Sequence, residues 1–146
     1  MPATGGRKGG SMENKYYKYY QPNKKDLKDD YGDCVIRAIC KAFDITWLEA
    51  FEMTLPICRE CQMLPSRILF ADNVKVVEKH MKLINHKVSN KRGTKRPTVK
   101  SFAKEHKTGR YILRIANHVV AVVDGKYFDT WDCGEKSLYG YYEVIE

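Results

Sequence analysis

Cys34 is the cysteine whose place in the sequence best suits a nucleophile. A reactive thiol must be held as a thiolate, and the unpaired N–H groups and the dipole at the first turn of a helix stabilise that charge. Gly32-Asp33 precedes Cys34, and an apolar segment with helical spacing follows at residues 35–43, with Asp33 as the predicted N-cap. Cys40 falls on the apolar face of that helix, and Cys133 lies in a Gly-containing loop. We therefore predict that Cys34 is the nucleophile.

A cysteine nucleophile needs a histidine within hydrogen-bonding reach as its general base. His80, His86 and His106 lie among lysines on predicted helix ends or loops, where a solvated histidine is the ordinary explanation. His118 instead precedes the most apolar strand of the chain, residues 119–123. A single histidine at such a place is more often a structural hydrogen-bonding group than a catalyst. Together with a cysteine at a helix start, it becomes the best candidate for the base.

The register of a predicted hairpin supplies a carboxylate that can orient this base. Asp124-Gly125 between two apolar segments is a strong signal for a two-residue hairpin loop. Counting outwards from that loop places Val120 opposite Asp129. Side chains two residues apart share a face of the sheet, so Asp129 lies on the face of His118, whereas Asp132 falls on the other face. We predict that Asp129 fixes the tautomer and orientation of the imidazole.

The segment Cys58-Arg-Glu-Cys61 has the spacing of a zinc-binding pair. A complete site needs two more ligands, and the sequence has no second C-x-x-C and no H-x-H cluster; His80, His86 or Cys133 would have to be recruited from a distance. A redox C-x-x-C pair usually opens a helix after a strand, which is not its context here. We expect no metal, no cofactor and free thiols in a reducing compartment.

The elements that position these residues form a predicted α+β domain. Helices are predicted over residues 35–43, from Thr46 to about Pro56, from 66 to 80 and over 99–106, and strands over 110–116, 119–123, 126–131 and 139–145. Helices thus come first and an antiparallel sheet second. A tyrosine-rich segment at residues 16–20 could add a strand or an arm. Residues 1–11 are Gly-rich and predict an expression-tag leader or a disordered tail, and residues 12–146 a single domain.

The charge distribution bears on possible partners. The formal net charge is +8, and the basic residues concentrate in two runs, residues 15–28 and 87–107. No aromatic residues interleave with the charges around Gly93 and Pro97 in the second run, so we interpret it as a solvated loop, and the sequence argues against nucleic acid as a partner. No apolar stretch approaches the roughly 20 residues of a membrane span. We expect a cytoplasmic protein with a protein or peptide substrate and no membrane association.

Two segments resemble papain-like cysteine peptidases. Tyr31-Gly-Asp-Cys-Val-Ile-Arg-Ala-Ile-Cys40 resembles their nucleophile helix. Asn117-His-Val-Val-Ala-Val-Val-Asp-Gly-Lys-Tyr-Phe-Asp129 resembles their histidine strand and the return strand that carries Asn or Asp. Within that superfamily, the short bacterial and phage forms near the bacteriocin-leader peptidases are the most similar. The resemblance implies a fold in which the cysteine helix packs against the sheet that carries the histidine.

The same resemblance implies an activity, a cysteine hydrolase that cuts a peptide or isopeptide bond through a Cys-His-Asp triad and an acyl-enzyme. Deamidation and transglutaminase-type transfer share that intermediate. In the family, a Gln about six residues before the cysteine helps to form the oxyanion hole; Lys28 stands there in this chain, so Gln21 and Asn23 are the candidate amides. The alternative from another class is a catalytically silent papain-fold module that uses a basic face for a protein or nucleic-acid partner.

Overall fold

The computed structural model describes residues 14–70, 72–89 and 92–145, which form an α+β domain of four helices and one six-stranded sheet. The predicted leader or tail at residues 1–11 lies outside the described residues. The helices are α1 at Cys34–Phe43, α2 at Trp47–Cys61, α3 at Val74–His80 and α4 at Val99–Glu105, with a 3-10 turn at Pro65–Arg67 between α2 and α3.

The strands are short, and their order in the sheet differs from their order in the chain. They are β1 at Tyr17–Tyr19, β2 at Leu83–Lys87, β3 at Arg110–Ile115, β4 at His118–Val123, β5 at Lys126–Asp129 and β6 at Gly140–Val144. The order across the sheet is β1-β5-β4-β3-β6-β2. All neighbours are antiparallel except β1 and β5, which are parallel. The predicted antiparallel sheet is therefore mixed, because the N-terminal segment adds a parallel strand at its edge.

The central strand β4 is covered on both faces, which explains its unbroken run of apolar residues. Val119 and Ala121 belong to the core that α1, α2 and α3 cover. Val120 and Val122 belong to a second core on the opposite face, where α4 packs. Helix α1 contacts β4 most extensively and reaches β3 and β5, so the cysteine helix packs directly on the strand that begins with His118.

Two predicted helix boundaries are wrong for physical reasons. Helix α2 continues past Pro56 to Cys61. The proline removes one backbone hydrogen bond, but Ile57 is fully buried and keeps the next turn packed on the core. The helix predicted from 66 to 80 is split into the 3-10 turn and α3. Strand β2 was not predicted, since only Leu83 in it is buried and it shows no alternation.

Among the described residues, no helix is both long and apolar enough to span a bilayer.

Candidate active site

Helix α1 begins at Cys34, so the thiol lies at the first turn of a helix, as predicted. Gly32, with φ of +68°, makes the turn into the helix. Asp33 occupies the N-cap position, but its side chain makes no capping hydrogen bond, contrary to the prediction. Its carboxylate instead accepts from Arg37 Nη1 at 2.8 Å and from Trp47 Nε1 at 2.7 Å. The first-turn N–H groups beside the thiol are therefore not capped by Asp33.

His118 is the first residue of β4 and follows a tight turn in which Asn117 has a φ of 55°. Its Nε2 hydrogen-bonds Asp129 Oδ2 at 2.5 Å. The Cys34 thiol is also hydrogen-bonded to the imidazole, which leaves Nδ1 as the ring nitrogen for the sulfur. The Trp131 ring lies against the imidazole with centroids 5.1 Å apart and covers part of it from solvent. Cys34, His118 and Asp129 thus form one hydrogen-bonded chain.

The hairpin register that led to Asp129 is confirmed. Val123 pairs with Lys126 and Ala121 with Phe128, so the next step outwards brings Val120 opposite Asp129. Asp132 does not contact the imidazole. It accepts instead from the Tyr127 hydroxyl at 2.5 Å and from the Gly134 N–H at 3.0 Å, within the loop after β5.

Asp129 is held on every side by hydrogen-bond donors. Its side chain is 1% exposed. Oδ1 accepts from Arg37 Nη2 at 3.1 Å and from the Thr130 N–H at 2.8 Å. Oδ2 accepts from the Cys133 thiol at 3.4 Å in addition to His118. Because both oxygens accept hydrogen bonds, the carboxylate is held in one orientation, and its bond to His118 fixes the orientation of the imidazole.

Arg37 joins the helix that carries the nucleophile to the strand that carries the carboxylate. It lies one turn after Asp33 on α1, is almost fully buried, and forms ion pairs with both Asp33 and Asp129. A buried guanidinium requires such partners, since an unpaired charge in the core is costly. The first ion pair could have been found from the sequence, because Asp33 and Arg37 are four residues apart in a helical segment. The second, between Arg37 and Asp129, could not, because the two residues are 92 positions apart.

The pKa values of the two reacting groups move in opposite directions. Burial alone would raise the pKa of Cys34, but hydrogen bonds from His118 and from the Val119 N–H outweigh it and lower the pKa from its ordinary value of 9.0. Burial alone would lower the pKa of His118, but hydrogen bonds to Asp129 and Cys34 outweigh it and raise the pKa to about 9. Both shifts favour a thiolate beside an imidazolium near neutral pH.

The other buried cysteines have the opposite environment. Burial raises the pKa of Cys40 to about 11, and burial together with the Asp129 charge raises that of Cys133. Their thiols stay protonated at neutral pH and are poor nucleophiles.

Cys34 and His118 open onto a cleft of about 350 Å³. The cleft is formed by three parts of the chain: residues 29–32 before α1, residues 66–70 after α2, and the residues at the start of β4 and just after β5. The lining residues are Asp29, Gly32, Cys34, Arg37, Ser66, Arg67, Phe70, Asn117, His118, Thr130 and Trp131. A cleft between loops at one end of the sheet gives a substrate access to the thiol.

Gln21 and Asn23 are the amides predicted for the oxyanion hole, and their side chains have other hydrogen-bond partners. Neither residue lines the cleft. Gln21 Nε2 donates to Asp29 Oδ1 at 3.0 Å, and Asn23 Oδ1 accepts from the Lys25 N–H at 3.0 Å. The loop is folded around the buried Asp26, whose carboxylate accepts from two backbone N–H groups. Asp29 lies in the cleft instead.

His118, Asp129 and Cys133 place their ligand-type atoms within 4.8 Å of one another, as a metal site would require. These atoms already hydrogen-bond each other. A cysteine binds a metal as its thiolate, whereas burial and the Asp129 charge raise the pKa of Cys133. The Arg37 guanidinium, which is paired with Asp129, would also repel a cation. We interpret the group as a hydrogen-bond network. The C-x-x-C pair at the end of α2 is not part of it, and the absence of a metal stays a prediction.

Comparison with known proteins adds no assignment, because no protein-family model, curated protein or solved structure matches the chain. The functional argument therefore depends on the geometry of the chain's own residues.

Proposed function

We propose that the protein is a papain-like cysteine hydrolase that cuts a peptide or isopeptide bond, with Cys34 as nucleophile, His118 as general base and acid, and Asp129 as orienting group. The single observation that carries the proposal is the hydrogen-bonded chain from Asp129 through the imidazole to the thiol at a helix start. The chain order Cys, His, Asp and the packing of α1 on β4 support the papain-like assignment.

The arrangement accounts for each step of an acyl transfer. The Cys34 thiolate attacks the carbonyl carbon, and the carbonyl electrons move onto oxygen. As the C–N bond breaks, the His118 imidazolium gives its Nδ1 proton to the leaving amine, and a thioester remains on Cys34. His118 then takes a proton from water, the hydroxide adds to the thioester, and the acid leaves as the thiolate is restored. Asp129 keeps the imidazole aligned for both proton transfers.

The oxyanion that forms in these steps needs donors. The backbone N–H of Cys34, at the start of α1, is one donor by position. Ser66 and Asn117 are neutral side chains with donor groups that line the same cleft, and either can supply a second donor once substrate is bound. Deamidation or acyl transfer to an amine would use the same thioester, with a different leaving group or acceptor.

One observation favours the second candidate, a catalytically silent binding module. Neither of the amides expected at the oxyanion hole lines the cleft, whereas the acidic residue Asp29 does. A fixed negative charge near a developing oxyanion raises the energy of the transition state. The intact thiol, imidazole and carboxylate favour the enzyme.

Alkylation tests the nucleophile assignment. The folded protein is treated with substoichiometric iodoacetamide near neutral pH, and the modified cysteines are mapped by mass spectrometry. We expect Cys34 to be labelled far faster than the other four, with Cys58 and Cys61, which are half-buried, as internal controls. In Cys34→Ser, a nearly isosteric change, the fast label disappears while the thermal midpoint stays within a degree or so of wild type. Equal labelling of Cys34 and Cys58 would contradict the assignment.

Turnover separates the enzyme from the silent module. With p-nitrophenyl acetate, the enzyme should release nitrophenolate continuously, because His118 activates the water that resolves the acetyl thioester. A silent module should acetylate once and stop. His118→Gln provides the matched variant, since it keeps a similar volume and hydrogen-bonding capacity but supplies no base. A single burst from the wild-type protein would favour the binding module.

A further inference from the structure

The two basic runs of the sequence meet on one surface, away from the cleft. A hollow of about 510 Å³ is lined by lysines from the N-terminal segment, from α4 and the loop after it, and from the start of β5. We call it the lysine hollow, and its five lysines are Lys15, Lys18, Lys104, Lys107 and Lys126. All five are exposed. The sequence placed these charges up to 111 positions apart, and the fold brings them together.

The charge of the lysine hollow is not neutralised within the described part of the chain. Asp124 is the single acidic residue in its lining, and its carboxylate accepts from the Gly109 N–H at 3.2 Å. None of the five lysines forms an ion pair with a described residue. Five cations against one carboxylate leave a local formal charge of +4 around a concave surface, which attracts anions strongly.

The backbone that carries these lysines is fixed. Strand β1 pairs with β5, and the Tyr127 N–H donates to the Tyr16 carbonyl at 2.8 Å. The Tyr16 ring packs against the core beneath α4, and the ammonium groups of Lys15 and Lys104 each lie 5.5 Å from its centroid. Two of the five ammonium groups, those of Lys15 and Lys104, therefore lie close to one tyrosine ring that is itself packed on the core.

We propose that the lysine hollow binds the phosphodiester backbone of single-stranded nucleic acid without reading its bases. A row of point charges on flexible stems suits a polyanion with closely spaced charges. The lining contains lysines and no arginine, and a lysine pairs with phosphate as a point charge without a fixed geometry, which suits binding to a backbone without reading of the bases. The loop around Gly93 and Pro97, which has no aromatic residues among its charges, is not part of the lysine hollow, and the hollow does include Tyr16.

The lysine hollow and the cleft are separate. The hollow includes the turn between β4 and β5, whereas His118 and Asp129 lie at the opposite end of the same hairpin. Five residue steps along β4 correspond to about 17 Å. The inference therefore goes beyond the proposed hydrolase and does not depend on it.

Fluorescence anisotropy with a labelled single-stranded DNA of ~20 nucleotides, between about 50 and 200 mM KCl, tests the proposal. If all five lysines contact phosphates, the logarithm of the affinity should fall against the logarithm of salt with a slope of about −3.5. In a triple variant with Lys104, Lys107 and Lys126 each changed to Gln, the affinity should fall at least tenfold and the slope should weaken to about −1.4.

The matched control changes Lys24, Lys25 and Lys28 to Gln, which removes the same net charge from exposed residues outside the hollow. It should bind within about twofold of wild type. Equal losses in both triple variants, or no binding at about 50 mM KCl, would overturn the proposal. So would equally tight, hollow-dependent binding of poly-glutamate, which would assign the surface to an acidic protein. Cys34 alkylation at the wild-type rate in both variants checks folding and tests the hydrolase separately.

Discussion

At the residue scale, the opposite pKa shifts of Cys34 and His118 have a common cause. Burial opposes the charged form of each group. It is outweighed at Cys34 by the hydrogen bonds from His118 and the Val119 N–H together, and at His118 by those to Asp129 and Cys34 together. The charged pair is therefore stable between the lowered pKa of the thiol and the raised pKa of the imidazole, which is about 9.

This pair predicts a pH dependence for alkylation. The thiolate is the reactive form, so the rate should hold as pH falls below 9 and drop only below the lowered pKa of Cys34. In His118→Ala, burial is no longer opposed by the imidazole, and the midpoint of the pH–rate curve should move upwards. Iodoacetamide rates measured across the pH range for both proteins, with N-acetylcysteine as the reference thiol, check this. Coincident curves for wild type and variant would contradict the ion pair.

The two aspartates near the end of the hairpin should differ in importance. Asp129→Ala removes the carboxylate that holds the imidazole in one orientation, so esterase turnover should fall by roughly 10²-fold or more. Some Cys34 labelling should persist, because the carboxylate does not attack.

Asp132→Ala is the matched control for that change. Its carboxylate bonds Tyr127 and not His118, so turnover should stay close to wild type. If Asp132→Ala proved the more damaging of the two, the imidazole would have a different partner in solution, and a bulge near Thr130 would be the simplest cause.

At the scale of elements, Arg37 holds α1 against β5 through buried ion pairs to Asp33 and Asp129. Arg37→Met should leave both carboxylates without a cation in the core and lower the free energy of unfolding by about 3 kcal/mol. Alkylation of Cys34 should slow even well below the melting temperature, because Asp129 no longer has one orientation. Arg37→Lys should label faster than Arg37→Met but slower than wild type, because lysine supplies the positive charge without the planar guanidinium that pairs with two carboxylates at once.

Lys79→Met serves as the control for Arg37→Met, since it breaks an exposed ion pair with Glu60. Such a pair contributes little in water. Denaturant unfolding curves and Cys34 labelling rates are measured for Arg37→Met, Arg37→Lys and Lys79→Met to separate a loss of stability from a loss of orientation at Asp129. A loss of stability in Arg37→Met with an unchanged labelling rate would show that the arginine is structural and does not position the site.

The elements also show what sequence could predict and what it could not. The β4–β5 register was predictable because a two-residue Asp-Gly loop fixes every pair after it. The start of α2 after Thr46 was also predictable, because Thr46 and Glu49 form a capping box. The C-terminal end of α2 and the existence of β2 were not, because the burial of Ile57 keeps the helix intact past Pro56 and only one residue of β2 is buried. The hydrogen bonds of Gln21 and Asn23 were not predictable for a similar reason, since they are decided by a loop around Asp26 that no periodicity reveals.

At the scale of the whole molecule, the N-terminal segment helps to hold the strand that ends at Asp129. The Tyr20 N–H and the Tyr17 hydroxyl both donate to the Asp129 carbonyl, at 2.9 and 3.1 Å. The Tyr17 ring also packs on Tyr127, in the core beneath α4. The parallel pairing of β1 with β5 thus connects the start of the described chain to the backbone of Asp129, a contact of sequence separation 112 that local patterns cannot predict.

That connection predicts that the segment unfolds together with the rest of the domain. The two cores share one sheet, so unfolding should be a single transition, with tryptophan fluorescence and far-ultraviolet circular dichroism coinciding. Tyr17→Phe keeps the ring but removes the hydrogen bond to Asp129, and should lower the free energy of unfolding by about 1 kcal/mol in both signals alike. Tyr31→Phe, which removes an exposed hydrogen bond to the Lys25 carbonyl, should change it by less than about 0.5 kcal/mol. If fluorescence and dichroism separated in Tyr17→Phe, or if both variants behaved alike, β1 would be an appendage whose loss leaves the domain intact. Coincident, Tyr17-specific destabilisation would instead mean that the N-terminal strand helps to hold the carboxylate on which the imidazole depends.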